Sequence, residues 1–243
     1  MHTIIIGSGL IGLLTAYKLL KLGHQVTILE KNQHGFESSW AGGGIVSPMY
    51  PWRYAPAVTA LAQLAQEEYP LLAKELLELT GIDVELMPCG MLMLETEDRR
   101  DALAWGQQTK QQIFDLNQAK IAELNANLAH FSQGIWLPQI ANVRNPRLLQ
   151  ALLVAIERLG GKRIVDAEVL EFFIENQKVI AVKTINNHIY HADQFILATG
   201  AWTAKIAQQL NLALPIRPIK GQMLLYKLEQ QILKQIVLYK GHY

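Results

Sequence analysis

The apolar residues of this chain change rhythm several times, and each change marks an element. Ile4-Ile5-Ile6 is a short continuous apolar run that stops at Gly7, the pattern of a strand buried on both faces. From Leu10 the apolar positions recur at helical spacing with Lys18 and Lys21 on the polar side, and Val26-Thr27-Ile28-Leu29 is a second strand ending at Glu30. Val58 to Leu79 predicts a helix, with apolar stripes at Leu61, Leu64, Ala65 and at Leu72, Leu76, Leu79, a break or restart at Pro70 and a stop at Gly81. Val84–Met87 and Gly90–Leu94 predict a strand pair bending at Pro88-Cys89-Gly90. Asp98 to Ala129 reads as helix-rich and polar, and Ile135–Pro138 as a short extended piece. Asn145-Pro146 predicts a helix start, with Asn as N-cap and Pro at the first helical position, and Gly160-Gly161 its end. Arg163 to Thr199 reads as β structure, Pro215–Tyr226 as another strand, and Ile236–Tyr243 closes the chain on a strand pattern.

Composition adds bounds. The chain has 243 residues, of which 50% are hydrophobic and 18% charged, enough for one large or two small globular domains. A net charge of +1 gives no global field for nucleic acid or acidic membranes. The single cysteine, Cys89, excludes an intrachain disulfide framework and a multi-cysteine zinc site, and fits a reducing, cytoplasmic compartment. The seven histidines show no metal-binding spacing, so no metal is expected. Ile4 to Leu20 lacks a basic flank and is interrupted by Gly7, Ser8, Gly9 and Gly12, so neither a signal peptide nor a transmembrane segment is expected there.

The order strand, glycine turn, helix, strand, acid is that of a dinucleotide pocket. Gly7 permits the tight turn, Gly9 lets the backbone approach a pyrophosphate, and Gly12 lets the helix pack on the sheet. The helix N-terminus then faces the phosphates, and Glu30 is placed to accept ribose hydroxyls and to disfavour a 2′-phosphate. NAD and FAD both satisfy this. Gly42-Gly43-Gly44 permits close approach to something flat or phosphorylated, with Trp40, Ile45 and Val46 expected to be buried beside it. Ser47–Tyr54, rich in aromatics and proline, reads equally as a substrate entrance or as a rigid connector. Thr199-Gly200, at the end of an apolar strand, suits a second backbone approach to the ligand.

Gly7-Ser8-Gly9-Leu10-Ile11-Gly12, Glu30-Lys31, Ser39-Trp40-Ala41-Gly42-Gly43-Gly44-Ile45, Ala198-Thr199-Gly200-Ala201-Trp202 and Pro218-Ile219-Lys220-Gly221-Gln222 together resemble the D-amino-acid oxidase superfamily of flavoproteins, most closely its glycine oxidase branch. The resemblance implies an α/β fold: a discontinuous Rossmann-like FAD-binding domain over 1–80 and 137–210, with helices on both faces of its sheet. A partial α+β substrate domain over 81–136 and 211–243 would accompany it. It implies FAD held by Gly7, Ser8, Gly9, Ile11 and Gly12 at the pyrophosphate, and by Glu30 with Lys31 at the ribose. Ser38, Ser39, Ala41, Gly42, Gly43, Gly44 and Ile45 would run toward the flavin ring, Val169 would meet the adenine, and Thr199, Gly200 and Trp202 would close over the cofactor.

The implied reaction is oxidative deamination of glycine or another small amino acid or amine by hydride transfer to the flavin, with O2 as acceptor. No catalytic side chain is assigned; Tyr243, Tyr50 and Arg53 are candidates for the substrate pocket. The family continues well past Tyr243, so the chain reads as truncated at its C-terminus. That opens two alternatives, a flavin-binding fragment that needs the missing part and a quinone-linked D-amino-acid dehydrogenase. An incomplete sheet with an unpaired edge also implies self-association into a homo-oligomer.

Overall fold

The computed structural model describes residues 1–243. In chain order the elements are β1 (His2–Ile6), α1 (Leu10–Lys21), β2 (Gln25–Leu29), α2 (Ser38–Ala41), α3 (Pro56–Thr80), β3 (Met91–Leu94), α4 (Arg99–Thr109), β4 (Phe114–Asn117) and α5 (Gln118–Leu124). They continue with β5 (Gln133–Leu137), α6 (Asn145–Arg158), β6 (Lys162–Ile164), β7 (Val169–Glu175), β8 (Lys178–Thr184), β9 (Ile189–His191), β10 (Gln194–Leu197), α7 (Thr203–Ala207) and β11 (Ile236–Tyr239). No helix is long and apolar enough to cross a membrane.

The chain forms two compact units. The first comprises residues 1–42, 76–83 and 145–223, the second 43–75, 84–144 and 224–243. These bounds differ from the sequence expectation of 1–80 and 137–210 against the rest. The crossing falls inside the triple glycine, between Gly42 and Gly43. Most of α3 consequently belongs to the second unit.

In the first unit, β1 pairs in parallel with β10 on one side and β2 on the other, and β6 pairs in parallel with β2. The sheet order is therefore β10-β1-β2-β6. Strand side chains alternate between faces. Ile4, Ile6 and Leu29 share one face and pack against Ala167, Val169 and Val182. Those residues belong to the antiparallel β7-β8-β9 sheet and its lead-in, so this face carries a second sheet where helices on both faces were expected. Ile5 and Ile28, fully buried, point the other way. There α1 buries Leu13, Ala16, Tyr17 and Leu20 and lies against α6, which buries Leu148, Leu149, Leu152 and Ile156.

In the second unit, β3 pairs in parallel with β11 and antiparallel with β5, which also pairs with β4. Met91, Met93, Ile135 and Leu137 form one face with Ala102 of α4, while Leu92, Leu94 and Leu116 form the other with Ile121 of α5 and Leu128.

Several local expectations change. Pro70 lies inside an uninterrupted α3. Burial of Leu72 and Leu76 just beyond it outweighs one missing hydrogen bond, while Leu61 and Leu64 of the expected stripe are exposed. Val84–Met87 does not pair with β3; Met87 exchanges both backbone hydrogen bonds with Asn142, at 2.8 Å each. β4 lies in a stretch read as helix, because only its Leu116 is buried and the two-residue period is carried by one side chain. Pro215–Tyr226 forms no strand; no regular element lies between Leu210 and Ile236, and Leu225 is 98% exposed.

Candidate dinucleotide site

The turn after β1 is built from backbone. Gly7 donates its N–H to the Leu29 carbonyl at 2.8 Å and adopts φ +102°, which an L side chain rarely takes. A Cβ on Gly7 would lie 2.5 Å from the Ala198 carbonyl oxygen, and one on Gly12 would lie 2.1 Å from the Gly7 carbonyl oxygen. Gly9, in extended conformation at the head of α1, faces only the Ser39 hydroxyl, 3.1 Å from where its Cβ would be. The motif thus packs against backbone at its first and third glycines and meets only a side-chain hydroxyl at its second.

The head of α1 carries no side-chain cap from Gly9 and no acidic residue in its first turn. Its unpaired N–H groups and partial positive charge suit an anion. Ser39 Oγ accepts the Leu10 N–H at 2.9 Å, so its own hydroxyl proton is still available to a phosphate oxygen. Ile11, though apolar, is exposed at this end. The sheet order changes direction between β1 and β10, which places the crevice at a topological switch point beyond the C-terminal ends of the strands. Ala198 closes the neighbouring strand by donating to the Ile6 carbonyl at 2.8 Å.

Glu30 forms the second wall and is buried. Its Oε2 accepts both the Ser8 N–H and the Ser8 hydroxyl, each at 2.8 Å, and its Oε1 accepts the Asn32 N–H at 3.2 Å. Its backbone is held by the Ile164 carbonyl and the Ala167 N–H, both at 2.9 Å, which brings the lead-in to Val169 alongside. Val169 is buried at the start of β7. Lys31 places Nζ 3.9 Å from the centroid of the Trp202 ring and 3.8 Å from Glu37. Thr199 and Thr203 share a hydroxyl hydrogen bond at 3.0 Å, and Gly200 between them takes φ +54° with open space at its Cβ position.

His34 lies in the turn that follows β2. Its Nδ1 is buried without a hydrogen-bond partner. Burial, and then the Arg163 guanidinium, push its pKa below the usual imidazole value, with Glu30 opposing. It is therefore neutral at pH 7.

The small-residue loop divides between the units. In the first, Ser38–Ala41 form α2, and the Gly42 carbonyl accepts from the Asn145 amide at 3.1 Å. Asn145, expected as an N-cap, thus opens α6 while holding this loop. Trp40 is half exposed, because it stacks on Phe36 by one face only, at 6.4 Å. In the second unit, the Gly43 carbonyl accepts from the Asn142 amide at 2.7 Å, and a Cβ on Gly44 would lie 1.9 Å from the Val143 carbonyl oxygen. Ile45 bridges to Asn142, and Val46 is buried with its N–H on the Ala141 carbonyl. The close approach that Gly44 permits is to the 141–143 segment of the chain itself.

Of the substrate candidates, all in the second unit, two come together. The Arg53 guanidinium lies 3.8 Å from the centroid of the Tyr50 ring. Arg53 Nε and the Trp52 indole N–H both donate to Asp98 Oδ2 at 2.6 Å. The Arg53 hydrogen bond, with help from Trp52 and against some desolvation, holds the Asp98 carboxyl below the usual carboxylate range. Tyr243 is half exposed beyond β11, and no hydrogen bond or ring contact joins it to that cluster. Asp98 was not singled out in the sequence; its position just before the helical run was the available signal.

A family profile described as FAD dependent oxidoreductase matches residues 2–242. The chain belongs to that family. Its dinucleotide is FAD. The glycine oxidase of Pseudomonas aeruginosa is 40% identical over 247 residues, covering 100% of this chain and 67% of its own length. That of Pseudomonas putida is 39% identical with the same coverage. The crystal structure of glycine oxidase from Geobacillus kaustophilus superposes with a TM-score of 0.90 at 25% identity, over 98% of this chain and 66% of that one. The chain spans about two thirds of the length of these relatives. FAD suits the crevice on its own chemistry: a helix head with no acidic residue in its first turn for the pyrophosphate, a second glycine that meets only a hydroxyl, and a buried carboxylate with lone-pair capacity left for a hydroxyl.

Proposed function

We propose that the first unit holds FAD and that the protein oxidises glycine or another small amino acid or amine, with O2 as acceptor. The observation that carries this reading is the buried Glu30 carboxylate, pinned next to the N-terminus of α1 at the switch point. Gly7, Gly9, Ile11 and Gly12 would hold the pyrophosphate, with Ser39 donating to it. Glu30 and Lys31 would hold the ribose. Ser38, Ala41 and Gly42 would flank the remainder, with Val169 at the adenine and Thr199, Gly200 and Trp202 as a cover. Ser8 differs from its expected role, since both its donors are spent on Glu30 and it acts through that residue.

When bound, FAD supplies the hydride acceptor for oxidation at the substrate α-carbon. The chain's own task is to bind and orient. Arg53 spends Nε on Asp98 and keeps its terminal amino groups for a substrate carboxylate, while Asp98 offsets its charge. Tyr50 beneath the guanidinium stiffens it, and Tyr243 completes the proposed set. We place the protein in the cytoplasm, as a homo-oligomer.

The test is the purified protein mixed anaerobically with glycine, sarcosine or D-alanine. A flavin spectrum that bleaches, with peroxide released stoichiometrically once air is admitted, is the expected result. Bleaching without peroxide would move the acceptor to a carrier such as a quinone. A flavin that no amine bleaches would reduce the chain to a flavin-binding piece.

A further inference from the structure

Ser8 lies between the two glycines that shape the turn, yet its side chain faces away from the open side of the crevice. It is fully buried, and its N–H and hydroxyl converge on a single oxygen, Glu30 Oε2, both at 2.8 Å. The Asn32 N–H donates to the other oxygen, Oε1, at 3.2 Å. A carboxylate offers about four lone-pair sites. Ser8 fills both on Oε2, Asn32 takes one on Oε1, and one remains. With its oxygens tethered to two different turns, the carboxylate cannot swing to present Oε2.

We infer that Ser8 is a positioning residue that makes Glu30 accept a single ribose hydroxyl through Oε1. Ser8 thereby links the pyrophosphate turn to the ribose anchor: a shift of the turn moves the carboxylate with it. A serine without a hydroxyl partner in that buried position would instead be a cost. The inference rests on the reading that Glu30 holds the FAD ribose, and the test separates the two.

The experiment titrates apoprotein with FAD and with FAD lacking the adenosine 2′-hydroxyl, and reads dissociation constants from flavin fluorescence. It uses the wild type, Ser8→Ala, Glu30→Gln and the double variant. In the wild type, loss of the 2′-hydroxyl is expected to weaken binding about tenfold, or ~1.4 kcal/mol. Ser8→Ala is expected to weaken FAD binding by about tenfold and to shrink the 2′-hydroxyl penalty severalfold, because the freed carboxylate no longer presents Oε1. In the Glu30→Gln background the Ser8→Ala change is expected to add little, which a merely structural serine would not do. An unchanged 2′-hydroxyl penalty in Ser8→Ala, or an equal cost in both backgrounds, overturns the inference. No penalty in the wild type and no loss in Glu30→Gln would remove the ribose reading itself. Ser8→Cys, which keeps the volume with a weak donor, should follow Ser8→Ala and guards against a packing defect; a wild-type response from it also overturns the inference.

Discussion

Glu30 in the first unit and Asp98 in the second solve the same problem in different ways. Each focuses two donors on one carboxylate oxygen. At Glu30 the donors are neutral, a backbone N–H and a hydroxyl from one residue, and a third N–H steadies the other oxygen. At Asp98 one donor is a guanidinium and the other an indole, and Oδ1 is buried with no partner. Glu30 keeps its charge available to a ligand, whereas Asp98 has its charge spent on Arg53. A carboxylate held by neutral donors is arranged to recognise; one held by a cation is arranged to hold its neighbour in place.

The largest expected effect tests whether the Glu30 side is a backbone construction. Gly12→Ala puts a methyl group against the Gly7 carbonyl, where nothing flexible can yield. It should cost about 3 kcal/mol in urea denaturation and abolish FAD retention. A stable, flavin-loaded Gly12→Ala protein would end the claim that the turn sets the site. Next, Asp98→Asn keeps an acceptor but removes the charge that Arg53 answers. About 1 kcal/mol of stability should be lost near neutral pH.

The pH dependence sharpens the contrast. Because the Asp98 carboxyl titrates below its unfolded value, its contribution is present above about pH 4 and disappears as pH falls through the depressed folded value. The gap between wild type and Asp98→Asn should therefore close in acid. A gap of constant size across urea melts from about pH 6 to about pH 3 would show that charge is not what Asp98 supplies. The smallest effect concerns the cover of the first site. Lys31→Met removes the cation above Trp202 and should cost about 0.5–1 kcal/mol, with a shift in tryptophan emission. Emission unchanged by the substitution would mean that the pair has no role in holding that ring.

What could be read from the chain and what could not follows from distance. The Gly7–Gly12 turn was legible because each glycine answers a local backbone demand and the strand–helix–strand rhythm surrounds it. Ser8 and Glu30 were each picked out, but their pairing was not, because a serine in a glycine motif is indistinguishable from one that faces the phosphates. Gly44 was read as making room for a ligand, when the atom it makes room for is the Val143 carbonyl. The Asp98 cluster joins residues far apart in sequence and carries no spacing to detect. Pro215–Tyr226 has strand composition, but strand formation needs a neighbour to bond with, and composition does not supply one.

The position of β10 beside β1 also fixes when the crevice can come into being. Gly7 rests against Ala198, and the His2 N–H donates to the Asp193 carboxylate at 2.7 Å, so the first strand finds its flank only near the far end of the first unit. On the ribosome the nucleotide motif emerges long before β10, and its wall does not exist until β10 follows. Such long-range closure is slow to form. Cofactor loading therefore belongs to the last stage of folding, after β10 has been made and has docked.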